Sequence, residues 1–117
     1  MDLKKLRIDK FQNIKLINFP EEIKLNIHSS NKNAEVIIYF IKQLSDIQKF
    51  VELCNASNLP SDNRTILVYR KGQKDGPNRD SIILPFKNRM YSGFKLKAPM
   101  LCSLSSEFSA FVMCKVI

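Results

Sequence analysis

Four cations, Arg70, Lys71, Lys74 and Arg79, surround Gly72 and Gly76 in one polar stretch between two apolar segments. Cationic side chains of this kind attract phosphate-bearing ligands, nucleic acid or an acidic partner. The stretch follows a strand-like run and leads into a helix-like one opened by Asn78. A helix start at that place would add free backbone donors for an anion, beyond the carboxyl end of a strand where open α/β sheets bind ligands. The same glycine, asparagine, aspartate and proline content also suits an ordinary turn, so 70–79 reads either as an anion site or as a basic loop.

The other residues with chemical potential point away from catalysis. Glu21 and Glu22 are adjacent carboxylates, but Pro20 before them gives the composition of a first helical turn or of a simple loop. His28 is the sole histidine and falls on the polar side of an alternating run, the position of a surface residue. Cys54, Cys102 and Cys114 lie in apolar sequence with no C-x-x-C pair, as expected of reduced core thiols, and no zinc site of ordinary spacing can be built from neighbours. The glycines at 72, 76 and 93 fit neither the dinucleotide fingerprint nor the phosphate loop. The turn after the first strand-like segment, Asn18 to Glu22, contains no glycine and two negative charges, so neither S-adenosylmethionine nor a nicotinamide cofactor is expected, and no cofactor at all.

With 117 residues, 44% hydrophobic and 26% charged, the chain suits a single domain over 1–117 with one core. The longest apolar run, Val36 to Ile41, is far shorter than the roughly 20 residues of a membrane-spanning helix. The amino-terminal Met1 to Arg7 has no apolar stretch behind it, so it does not read as a secretory signal, and cytoplasmic residence is the default expectation. The net charge is +8, and nine basic against two acidic residues lie between Arg64 and Ser106, an excess of seven. That excess is either a binding surface or a lysine-rich solvated face.

The elements that must position these residues follow one another without repeat or linker. Asn13 to Asn18 reads as a strand, and Ile23 to His28 alternates apolar and polar as a half-buried strand should. Ser29 to Asn33 is a polar turn. Glu35 to Ile41 is apolar on both faces and belongs in the middle of a sheet covered on each side. Ser45 with Gln48 makes a capping box for a helix ending near Asn58, with Ile47, Phe50, Val51 and Cys54 on its inner stripe. Thr65 to Tyr69 is a buried strand, parallel to 35–41 by the β-α-β order. Asn78 caps a second helix with Ile82, Ile83, Phe86 and Met90 facing inward and Pro85 kinking or breaking it. Phe94 to Ala98 alternates and meets Pro99, which places it at an edge or a bulge. Phe108 to Val116 should be interior and antiparallel to the strand before it, so that 35–41, 65–69 and 108–116 lie adjacent in one buried sheet.

This order resembles the second half of a methyltransferase-like Rossmann sheet, a small mixed α/β sheet closed by a carboxy-terminal antiparallel hairpin. Asn18-Phe19-Pro20-Glu21-Glu22, Glu35-Val36-Ile37-Ile38-Tyr39-Phe40, Tyr69-Arg70-Lys71 and Phe108-Ser109-Ala110-Phe111 are similar to a bacterial family of small uncharacterised proteins with a reduced, cofactor-less version of that fold. The likeness covers most of the chain after Asp9. Arg70 stands where the family pattern has proline, and Phe108 where it has tryptophan. The resemblance implies a fold and supplies no activity.

The expectation is therefore a non-enzymatic α/β protein that binds an anionic ligand or partner. The alternative is nucleic-acid binding through 64–106, where Tyr69, Tyr91 and Phe94 would either stack on bases or fill the core.

Overall fold

The computed structural model describes residues 1–30 and 32–117, and the side chains of these except 98 and 99. Asn31, in the turn expected over 29–33, lies outside the described residues. Five strands, β1 (Ile14–Ile17), β2 (Val36–Ile41), β3 (Arg64–Arg70), β4 (Phe94–Ser103) and β5 (Phe108–Lys115), form one open mixed sheet in the order β1-β2-β3-β5-β4. The first three run parallel, and β5 runs antiparallel to both of its neighbours, β3 and β4. The three segments apolar on both faces do lie side by side as β2, β3 and β5. Every residue of β2 is buried, since strands covered twice leave no polar face.

Alternate residues of these strands feed two cores. Ile37, Tyr39, Leu67, Phe111 and Met113 pack on one face against α1 (Asp46–Ala56) and α2 (Arg79–Lys87). Ile38, Phe40, Ile66, Val68 and Val112 pack on the other against a 3-10 helix over Leu3–Leu6 and the irregular chain that follows β1. Both helices therefore share one face. The second layer on the opposite face is made with little regular structure.

Residues 23–28 show why. Ile23, Leu25 and Ile27 turn inward and Lys24, Asn26 and His28 outward, as the alternation requires, but the segment is not a strand. The free edge of β1 is met instead by the residues just beyond it: Ser30 donates its amide to the Ile14 carbonyl at 2.8 Å, and Ser29 Oγ accepts from the Leu16 amide at 3.1 Å. Glu21 and Glu22 are not a first helical turn either. The Ile23 amide donates to the Pro20 carbonyl at 3.1 Å, closing a turn over the two exposed carboxylates.

The helix ends also differ from expectation. Ser45 makes no side-chain cap, so the box with Gln48 does not form. On α2, by contrast, Asn78 and Ser81 close a reciprocal capping box. Pro85 sits near the end of α2, which runs only to Lys87. The chain then turns through Arg89 at φ 58°, and Met90, expected inside, is 71% exposed. At the sheet's outer edge β4 continues through position 99 to Ser103, and its register on β5 shifts between Leu96 and Leu101, the edge and the bulge expected for a proline there.

Candidate functional site

The carboxyl ends of β1, β2 and β3 open on one rim, and Arg70 to Arg79 lies along it. The loop is folded around the side chain of Gln73, whose amide donates to the Arg70 carbonyl at 3.0 Å and the Pro77 carbonyl at 2.9 Å. An anion cradle needs inward N–H groups, and here carbonyls converge on an amide. Gly72 takes φ 76°, the left-handed conformation that favours glycine. At Gly76 a Cβ would come within 2.9 Å of Gln73 Oε1, so glycine lets the loop close on that side chain.

The four loop cations divide into two pairs. Arg70 lies 3.1 Å from Glu107 and 5.0 Å over the Phe108 ring. Lys71 donates from Nζ to Ser103 Oγ at 2.5 Å and to the Ser105 carbonyl at 2.7 Å. Both are thus latched to the turn between β4 and β5. A lysine beside a serine suggests a nucleophile with its base, but Ser103 Oγ donates to the Ser105 carbonyl at 3.2 Å, so the hydroxyl proton is turned away from Lys71 and the contact is a latch. Lys74 and Arg79 remain exposed on the outside of the loop, beside an α2 start that Asn78 already caps and that carries Asp80.

The same rim holds a polar knot that sequence reasoning missed. Asp46, only 3% exposed, accepts through Oδ2 from the Lys42 amide at 2.9 Å, the Gln43 amide at 3.2 Å and Asn18 Nδ2 at 3.3 Å. Asn18 also donates to the Phe40 carbonyl at 2.8 Å and takes φ 67°. Asparagine enters the left-handed region more readily than most residues, so Asn18 makes the turn after β1 without glycine. Its side chain then occupies the crevice between the ends of β1 and β2. The signal was a lone asparagine ending an apolar strand, which also fits any turn.

The basic excess of 64–106 is partly compensated by acids just outside that window. Asp62 pairs with Arg64 at 3.1 Å and with Lys10 at 2.9 Å, and hydrogen bonds from these two cations hold its carboxyl below the usual range. Glu107 pairs with Arg70 at the other end. Tyr69 is buried, which pushes its phenol up, while Tyr91 and Phe94 pack at 5.5 and 5.3 Å from Phe86. Tyr69 is thus a core residue, and Tyr91 and Phe94 are half-buried against the core. Burial likewise pushes the Cys54 thiol up to about 12, and Cys114 is buried, but Cys102 is only half-buried. His28 is exposed.

Among the described residues no group of three or more histidine, cysteine, aspartate or glutamate side chains could hold a metal ion, and no helix is long and apolar enough to cross a membrane. No family model, curated protein or solved structure matches the chain.

Proposed function

We propose that this chain is a non-catalytic, cytoplasmic binding module for an anionic partner. One observation carries the reading: nineteen lysines and arginines face eleven carboxylates, and among the described residues ion pairs engage only Lys10, Lys49, Arg64 and Arg70. Most of the positive charge is therefore free to meet a ligand, and Lys74 and Arg79 are the loop cations that neither an ion pair nor a side-chain hydrogen bond engages among the described residues. The occupied crevice at Asn18 and Asp46 supports a role without a nucleotide cofactor. The order β1-β2-β3-β5-β4, with the last strand inserted antiparallel beside the third, supports a reduced methyltransferase-like Rossmann frame of the kind the bacterial family resemblance implies.

The test is the binding of a fluorescent oligoanion followed by anisotropy. If about three phosphates of a single strand are bound, affinity should fall roughly 20-fold for an approximately fourfold rise in salt. Replacing Lys74 and Arg79 by alanine should lower the salt slope by about 0.7 for each phosphate no longer neutralised. Binding that ignores salt refutes the reading.

A further inference from the structure

Besides Leu44 and Leu84, the large apolar side chains exposed among the described residues are Met90, Leu96, Val116 and Ile117. Met90 (71%), Leu96 (37%) and Val116 (55%) are exposed, and all belong to the outer edge of the sheet around β4. Three contacts bring them together. The Val116 amide donates to the Gly93 carbonyl at 2.8 Å, which ties the chain after β5 beside the chain before β4. Leu96 pairs in register with Met113, on the same side of the sheet as α2, and Phe86 of α2 packs 5.5 Å from Tyr91 and 5.3 Å from Phe94, holding the residues after α2 at that edge.

The charges around this apolar edge have one sign. From Ser81 to Ser106 there is no aspartate or glutamate, while Lys87, Arg89, Lys95 and Lys97 all fall there. Lys115 stands next to them, its ammonium 5.6 Å from the Phe94 ring. β4 is also an edge strand whose outer backbone faces no other strand of the sheet.

We infer that this edge, from the end of α2 along the first half of β4, docks an acidic protein segment that also carries apolar side chains. The inference rests on the anionic-partner reading and names the partner's class. Two observations choose a protein over a nucleic acid: apolar side chains alternate with the cations, and the aromatic rings that would stack on bases are engaged by the core, Tyr69 within it and Tyr91 and Phe94 half-buried against Phe86. A second copy of this chain would bring a net charge of +8 against the same cations, so self-pairing is opposed. Lysines, a proline and a register shift blunt an edge against indiscriminate pairing. The same lysines attract a segment whose carboxylates offset them, and its apolar residues would cover Met90 and Leu96. Backbone pairing, where it occurs, is confined to the residues before the shift at Leu96.

The experiment is an amide-resolved NMR titration of the full chain with three probes. These are a twelve-residue peptide alternating glutamate with valine or leucine, an oligoglutamate of equal charge, and a single-stranded oligonucleotide. The expected result is that the alternating peptide binds at least fivefold more tightly than oligoglutamate, shifting residues 87–97 and 116. Met90→Ser with Leu96→Thr, both at exposed positions, should abolish that preference and leave oligoglutamate binding unchanged. Equal binding of the three probes, insensitivity to the double substitution, or dimerisation through this edge overturns the docking surface. So does the absence of peptide binding while the oligonucleotide still binds through Lys74 and Arg79, which leaves the anionic-partner reading standing. Failure of all three anions at low salt overturns both.

Discussion

Replacing Asn63 by alanine removes a side chain that binds the beginning of β3 to the end of β5. Asn63 is fully buried; its Nδ2 donates to the Pro60 carbonyl at 2.7 Å and to the Lys115 carbonyl at 2.9 Å, while its Oδ1 accepts from the Lys115 amide at 2.8 Å. The side-chain amide thus pairs with Lys115 as a neighbouring strand would. Three hydrogen bonds at roughly 1 kcal/mol each give a loss of about 3 kcal/mol, because the Lys115 and Pro60 groups would be left in a site that admits little water. An unfolding entropy of about 0.25 kcal/mol/K for a chain of this length converts that loss into a fall in Tm of about 12 °C. Thermal melts followed by circular dichroism, with urea titrations to confirm an unchanged m-value, measure it. Asn63→Asp separates packing from hydrogen bonding. Its carboxylate cannot donate to the two carbonyls, so destabilisation should be at least as large at neutral pH and should ease as falling pH protonates the carboxyl. A Tm change below about 3 °C for the alanine variant would refute the reasoning.

Cys54 makes an alkaline prediction, since burial raises its pKa and the folded chain keeps a proton that the unfolded chain releases above an ordinary thiol value of 9.0. Stability should be unaffected by this group below pH 9 and should fall as pH rises from 9 towards 12, by up to about 1.4 kcal/mol per pH unit. Urea titrations across that window should show a shallower slope for Cys54→Ala; equal slopes contradict the assignment. Asp46→Ala removes the acceptor of two backbone amides and of Asn18, and chemical denaturation should show a loss of about 2 kcal/mol. A neutral result would mean that water replaces the carboxylate. S-adenosylmethionine and nicotinamide cofactors should leave the Tm unchanged, because Asn18 stands in the crevice at the end of β1. A rise of several degrees, on the order of that expected from a ligand at about a hundred times its Kd, would exclude that reading.

The alternation of Ile23, Leu25 and Ile27 illustrates how far the sequence carries. Period two reports which side chains are buried, and those three are turned inward; it does not report a backbone partner, and a covering layer satisfies the same pattern as a strand. Met90 departs from its expected place for a related reason. The apolar stripe of α2 continues in the sequence past Lys87, where the helix stops and the chain turns at Arg89, and sequence periodicity fixes element ends poorly. Asp46, in place of Ser45, accepts at the head of α1 from the Lys42 and Gln43 amides, and its third partner, Asn18, is distant in sequence and adjacent only across the ends of β1 and β2.

By itself the sequence determined the elements whose burial leaves no alternative: β2, β3 and β5, apolar on both faces, had to be neighbours inside the sheet, and Pro99 had to lie at an edge or a bulge. The inner face of α1, and that of α2 as far as Phe86, followed from helical spacing alone. Tertiary structure decided which charges remain free, because an ion pair depends on distance in space rather than in sequence. Asp62 and Glu107 reach back to Arg64 and Arg70, and Ser103 and Ser105 hold Lys71, whereas Lys74 and Arg79 stay exposed. It also decided that Met90, Leu96 and Val116 would meet on one cation-lined edge, since only the pairing of β4 with β5 brings the chain after β5 to the chain after α2.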